Sequence, residues 1–270
     1  KGLHDLLKHL QTQAAAGACL HKGLLKRPLK NESRAMMADR VASTELLVLD
    51  IDGIQMPGSL TDVRTVAEKI IAQLPECFQD VSYIAQASAS LGFKKGKVSM
   101  HFFFLLDQPT QPKILKEWFK LLNYETDILS SQLSLSANGQ SLSYKLDPSV
   151  AENSKIIYIA PPTFKDDIQD PISGDRFVLV ERGSVTIDPR PLLVHVNPER
   201  VHNLGVQVKD GLRKKLNLPK KTSKLSTVSI GGEAQEVLQN PDKMTIEISR
   251  VNEPYVNCNV NGGDSNGYYF

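Results

Sequence analysis

At 270 residues and 41% hydrophobic, the chain has the length and apolar content for one large domain, or a domain with an appendage, and is excluded from the disordered class. A formal net charge of +2 excludes any inference from global charge to a polyanionic partner. Three scattered cysteines, Cys19, Cys77 and Cys258, exclude a disulfide framework and a CxxC zinc site, and no apolar run reaches the length of a membrane span, so an intracellular protein is expected.

In chain order, residues 1–16 predict a helix with Leu3, Leu6, Leu7 and Leu10 on one face, closing at Gly17. Residues 18–40 predict an irregular basic segment; residues 1–40 hold eight Lys/Arg against three Asp/Glu. LLVLDIDG at 46–53 predicts a strand over 46–51, central and buried because its run is apolar up to Asp50. A turn at Pro57 and Gly58 leads to a helix over 61–73. VSYIAQASAS at 81–90 and VSMHFFFLL at 98–106 predict a hairpin, followed by a helix over 112–122 and another over 125–134. SLSYKLD (141–147) and KIIYIAPP (155–162) predict a strand pair, and 173–188 a further hairpin. Residues 206–224, with seven Lys/Arg against Asp210 alone, predict a basic linker between a catalytic domain (1–205) and the truncated start of a small β-rich module (225–270). The chain is expected to be a fragment of something longer. The expected class is α+β, with mixed sheets and flanking helices.

The chemistry concentrates on two strands. Asp50 and Asp52, at i and i+2, share a strand face. Two adjacent carboxylates resist joint ionisation unless a cation lies between them, and Mg²⁺ or Mn²⁺ are the hard cations that oxygen ligands suit. The competing reading is that these acids end the strand and cap the turn at Gly53. Ser99 and His101 share a face in the same way and are able to hydrogen-bond a triphosphate; the competing reading is a satisfied core histidine. Lys94, Lys95 and Lys97 add positive charge nearby, or form an ordinary solvated hairpin tip. Asp147 is a third acid.

Asp50–Ile51–Asp52, then Ser99–Met100–His101, then Leu146–Asp147, resembles the archaeo-eukaryotic primase superfamily of primase-polymerases over roughly residues 30–165. The resemblance implies that Asp50, Asp52 and Asp147 hold two divalent ions, and that His101, supported by Ser99, contacts nucleotide phosphate. Lys155 matches the basic residue that often follows the third motif. Arg34 is a further contact for triphosphate or template, because guanidinium grips phosphate bidentately. Two small αβ units flanking a catalytic cleft, the second like an RNA-recognition fold, are implied. So are template-directed nucleotidyl transfer as a DNA primase or primer-extending polymerase, and partners comprising DNA template and primer, nucleoside triphosphates and a replicative helicase, fused or separate. The setting implied is a phage, plasmid or viral replicon.

Two other readings compete. LLVLDIDG also resembles the first motif of haloacid-dehalogenase-type phosphatases, with Asp50 as nucleophile, Asp52 as acid/base and Mg²⁺ as cofactor; against it, the late acids it needs beyond an apolar strand find only Asp166 and Asp167, which follow PPTFK, and Ser-x-His has no role in it. A non-enzymatic protein binding single-stranded nucleic acid would use the basic linker and Tyr268, Tyr269 and Phe270.

Overall fold

The computed structural model describes residues 2–218, apart from 29, 31, 32, 138, 165–167 and 173, with the side chains of Arg34 and Ala35 outside the description. For 237–239, 245–252 and 255–261 it describes the backbone. The chain divides into two compact units, residues 1–220 and 221–270.

The first unit is α+β. Its elements are α1 (Leu3–Ala15), β1 (Cys19–His21), α2 (Arg34–Met37), β2 (Thr44–Gln55), α3 (Val63–Ile71), β3 (Tyr83–Ala87), β4 (Lys97–Thr110), α4 (Pro112–Glu125), α5 (Asp127–Ser130), β5 (Ser134–Leu135), β6 (Leu142–Ser143), β7 (Ile156–Tyr158), β8 (Phe177–Val180), β9 (Thr186–Ile187), α6 (Arg190–Leu193) and α7 (Pro198–Lys215). Short 3-10 turns occupy Glu76–Phe78 and Pro148–Ala151. The second unit carries β10 (Val237–Gln239), β11 (Thr245–Asn252) and β12 (Tyr255–Asn261), an antiparallel sheet in that order.

The main sheet runs β2-β4-β3-β8, every neighbour antiparallel, with β9 pairing parallel to β4 where β3 has ended. One face is dry. Leu47, Leu49 and Ile51 of β2, Met100, Phe102 and Phe104 of β4, and Tyr83 of β3 are all fully buried. Phe78 fills this face, its ring 5.3 Å from Phe104 and stacked on Trp118 of α4 at 5.6 Å. Each such side chain contributes about 2 kcal/mol by leaving water. α3 begins at Asp62, whose carboxylate accepts from the Thr65 amide at 2.6 Å, and α4 begins with Pro112 in its first turn, both favoured starts.

Several expectations are corrected. β2 lies at the end of the sheet rather than in its centre. Its outer edge is covered by irregular backbone: the Asp52 amide donates to Lys145 O at 2.8 Å and the Asp147 amide to Asp50 O at 2.9 Å. That cover explains a strand with a long apolar run in an edge position. The segments 141–147 and 155–162 do not pair with each other; β6 pairs β5, and β7 pairs β1. Likewise β8 pairs β3 and β9 pairs β4, so 173–188 is not a hairpin. Residues 18–40 contain β1 and α2. Over 125–134 the α-helix is the single turn of α5.

The 206–215 part of the expected linker is the second half of α7. Asn197 caps that helix, its side chain accepting from the Glu199 and Arg200 amides, and Pro198 takes its first position. Arg213, Lys214 and Lys215 fall in the last turn, where cations complement the helix dipole. Gly205 sits where a Cβ would meet Tyr124 Oη at 2.8 Å, so the lack of a side chain lets α7 approach α4. Among the described residues no helix is long and apolar enough to cross a membrane.

Candidate active site

The opposite face of the sheet is polar at one end. Antiparallel register sets Asp50 of β2 opposite His101 of β4, His101 opposite Gln86 of β3, and Gln86 opposite Phe177 of β8. Directly paired residues share a face, so these four form one row. His101 Nε2 lies 3.4 Å from Asp50 Oδ1, and His101 Nδ1 lies 3.0 Å from Gln86 Oε1. His101 and Gln86 are buried; Asp50 is half-buried.

Next to this row the β2–β4 ladder slips. Ile51 pairs Met100 and Ile54 pairs Val98, so Asp52 and Gly53 together oppose Ser99. This is a β-bulge with Gly53 in the left-handed region, φ 63°. Ser99 Oγ donates to Asp52 Oδ1 at 2.5 Å and accepts from the Gly53 amide at 3.0 Å. The bulge aims the Asp52 side chain, and Ser99 pins it. Asp52 is exposed.

Asp147 joins from the irregular cover of β2. Leu146 bridges Ile51, and backbone bonds flank it on both sides, which brings the third acid beside the first two along the chain's edge. The Asp147 side chain caps the turn Pro148–Ala151 by accepting from the Ser149 amide, and it also takes the Ser149 hydroxyl and the Lys155 ammonium, the latter at 2.8 Å. Burial pushes the Asp147 carboxyl up, but these hydrogen bonds outweigh it and hold the group below the ordinary aspartate range. Lys155 also donates to Ser149 Oγ at 2.6 Å.

Thus five expected residues, Asp50, Asp52, Ser99, His101 and Asp147, lie along β2 and its two neighbouring segments, and a sixth, Lys155, joins them through its ion pair with Asp147. The seventh, Arg34, heads α2, and its side chain is outside the description. Lys94 and Lys95 sit exposed on the β3–β4 connection and Lys97 pairs Gln55 on the Asp52 side of the ladder. Asp166 and Asp167 are outside the described residues.

Three residues escaped sequence reasoning. Lys145, two before Asp147, donates to Gly53 O at 3.2 Å and so adds a cation beside the bulge. Asn123 of α4, fully buried, holds the third-motif backbone: its amide donates to Phe119 O and Leu146 O, and its carbonyl accepts from the Lys145 and Leu146 amides. The signal for it was an asparagine in the apolar stripe of a helix. Gln86, within the apolar strand YIAQA, is the third.

As a trial of metal fit, Asp50 and Asp52 supply two carboxylates on one face, an oxygen set suited to a hard divalent ion. The side chains stand engaged elsewhere, Asp50 with His101, Asp52 with Ser99 and Asp147 with Lys155. Among the described residues no three His, Cys, Asp or Glu side chains converge as a ready cage. A donor pair is therefore in place, and a third ligand requires Asp147 to leave Lys155. Compared with protein-family models, curated proteins and solved structures, the chain matches none.

Proposed function

We propose that the first unit is a metal-dependent, template-directed nucleotidyltransferase, a DNA primase or primer-extending polymerase. One observation carries the reading: acids separated by almost a hundred residues are brought together, the Asp147 amide donating to Asp50 O and the Asp52 amide to Lys145 O two residues before Asp147, while His101 faces Asp50 from the other side. A structural aspartate at the end of a strand has no need of that company.

In this reading Asp50 and Asp52, with Asp147, hold Mg²⁺ or Mn²⁺. The ions supply activation of the attacking 3′-hydroxyl and neutralisation of triphosphate charge. The chain's own residues do the rest. Ser99 keeps the bulge, and with it the direction of Asp52. His101 addresses nucleotide phosphate through Nε2, the ring atom turned toward the acids, and donates to a phosphate oxygen there as the imidazolium. Lys155 holds Asp147 in place until phosphate oxygens compete for its ammonium, and Lys145 offers a second cation beside Asp52. DNA template, primer and nucleoside triphosphates are the proposed partners, in an intracellular replication setting.

The test is extension of a labelled primer on a DNA template with Mg²⁺ or Mn²⁺, by the wild type and by Asp50→Ala/Asp52→Ala. The expected result is extension that the double variant loses while keeping its fold. No extension by the wild type, with equal template binding by both proteins, would overturn the proposal in favour of a nucleic-acid-binding module.

A further inference from the structure

We infer that Gln86 is a positioning residue that fixes the tautomer and orientation of His101. The argument starts from the Gln86 amide. Its Nε2 lies 3.2 Å from Tyr158 O and 3.1 Å from Ile159 O. Carbonyl oxygens only accept, so this end of the side chain must be the NH2 group. That choice leaves Oε1 pointing at His101 Nδ1, 3.0 Å away. An amide oxygen also only accepts, so Nδ1 must carry a proton. The chain of donors thus runs in one direction, from the imidazole to the amide to two backbone carbonyls. The reversed amide would set its oxygen against the two carbonyl oxygens. Burial makes that mismatch costly, because Gln86 is 3% and His101 9% exposed and water does not replace the lost bonds.

Two consequences follow for the site. Nε2 is the ring atom that faces Asp50, 3.4 Å away, and it hydrogen-bonds that carboxylate, or an anionic oxygen bound there, only in the imidazolium, where it too carries a proton. And the carbonyls that set the amide belong to the end of β7 and the residue after it, the same short ribbon that begins one residue after Lys155. Gln86 therefore ties the main sheet at His101 to the ribbon beside Lys155. Partners standing behind a metal-ligating histidine change affinity or activity by about 10- to 100-fold when removed, and the same orienting role behind His101 sets the expected scale.

The role of His101 toward nucleotide rests on the proposed function; its tautomer does not. The first measurement is therefore the imidazole ¹⁵N spectrum at a pH where the ring is neutral, with the His101 signals identified by their loss in His101→Asn. The wild type is expected to show the Nδ1–H tautomer. Gln86→Met, which keeps the volume and removes all three hydrogen bonds, is expected to move His101 toward Nε2–H, whereas Gln86→Glu, which as a buried carboxylic acid donates to one of the two carbonyls and still accepts from Nδ1–H, is expected to keep the wild-type tautomer. An Nε2–H tautomer in the wild type, or an unchanged one in Gln86→Met, would overturn the inference. A merely structural glutamine would lower stability in both variants without this split. In the primer-extension assay Gln86→Met is expected to lose about 10- to 100-fold in rate at unchanged template affinity, with Gln86→Glu recovering part of it. Absence of extension by the wild type would remove the proposed function and leave the tautomer result to decide the inference.

Discussion

Ser99 and Asp52 face each other across a β-bulge, and the serine hydroxyl serves both residues of that bulge at once, donating to the Asp52 carboxylate at 2.5 Å and accepting from the Gly53 amide at 3.0 Å. The serine of the Ser-x-His pair therefore acts on an acid. Ser99→Ala leaves the Gly53 amide without its acceptor and Asp52 without its pin. We expect a loss of about 1–2 kcal/mol in urea unfolding. In primer extension the variant should need more Mn²⁺ or Mg²⁺ for half-maximal rate, while the KM for nucleotide stays within about twofold. A rise confined to the nucleotide KM would instead make Ser99 a phosphate contact.

Gly53 is required for its backbone rather than for space. A Cβ there would meet only Lys145 Nζ, at 3.9 Å, yet φ is 63°. An L-residue in that region costs about 1 kcal/mol, and asparagine tolerates it better than alanine. Gly53→Ala should thus lose about 1 kcal/mol in thermal or urea unfolding, and Gly53→Asn less. Equal losses would point to crowding.

Asn123 makes four hydrogen bonds from a fully buried position, three of them to the backbone of residues 145 and 146. Asn123→Leu keeps the volume but strands two amides and one carbonyl of the segment that leads into Asp147. We expect a loss of about 3 kcal/mol in urea unfolding. Amide exchange should accelerate most at Lys145, Leu146 and Asp147, whose amide bonds to Asp50 O.

How far this arrangement is legible in the sequence depends on the range of the interactions that set it. Period-two placement of Asp50 with Asp52, and of Ser99 with His101, follows from strand geometry alone, as do α1, α3 and α4 from their apolar stripes and starts. The hairpin of β3 with β4 follows in the same way, but the pairing of β2 with β4, which skips β3 in the sequence, does not: only the sheet order reveals β4 between β2 and β3. The edge position of β2 is hidden for a similar reason, because its cover is irregular backbone held by Asn123, which has no periodic signature. The bulge was written in Asp52–Gly53, but a glycine after a strand acid reads equally as a turn. α7 was legible in Asn197–Pro198 and lost beneath its lysines, whose charge suggests a linker although three of the cations only complete a helix end.

Lys22 gives the clearest pH dependence. It is buried at the end of β1, its ammonium donates to Ala151 O at 2.8 Å, and among the described residues no carboxylate pairs with it. Burial lowers its pKa from 10.5 to about 8. The sign follows from proton counts. Below about pH 8 the lysine is charged in both folded and unfolded chains, and the buried charge weakens the fold by a constant amount. Between about pH 8 and 10.5 the folded chain has released the proton and the unfolded chain still holds it, so this group makes stability rise with pH. The buried Tyr83 and Cys77, both pushed up to about 12, act in the opposite sense over the alkaline range, since their unfolded forms ionise first. A comparison with Lys22→Met isolates the lysine. Its neutral side chain strands the Ala151 carbonyl, a cost that does not vary with pH. Urea unfolding at about pH 7 and about pH 10 should show the variant losing ground to the wild type by about 2–3 kcal/mol over that interval, against a full shift worth on the order of 3 kcal/mol. A constant difference at the two pH values would mean that the ammonium is solvated in the folded protein.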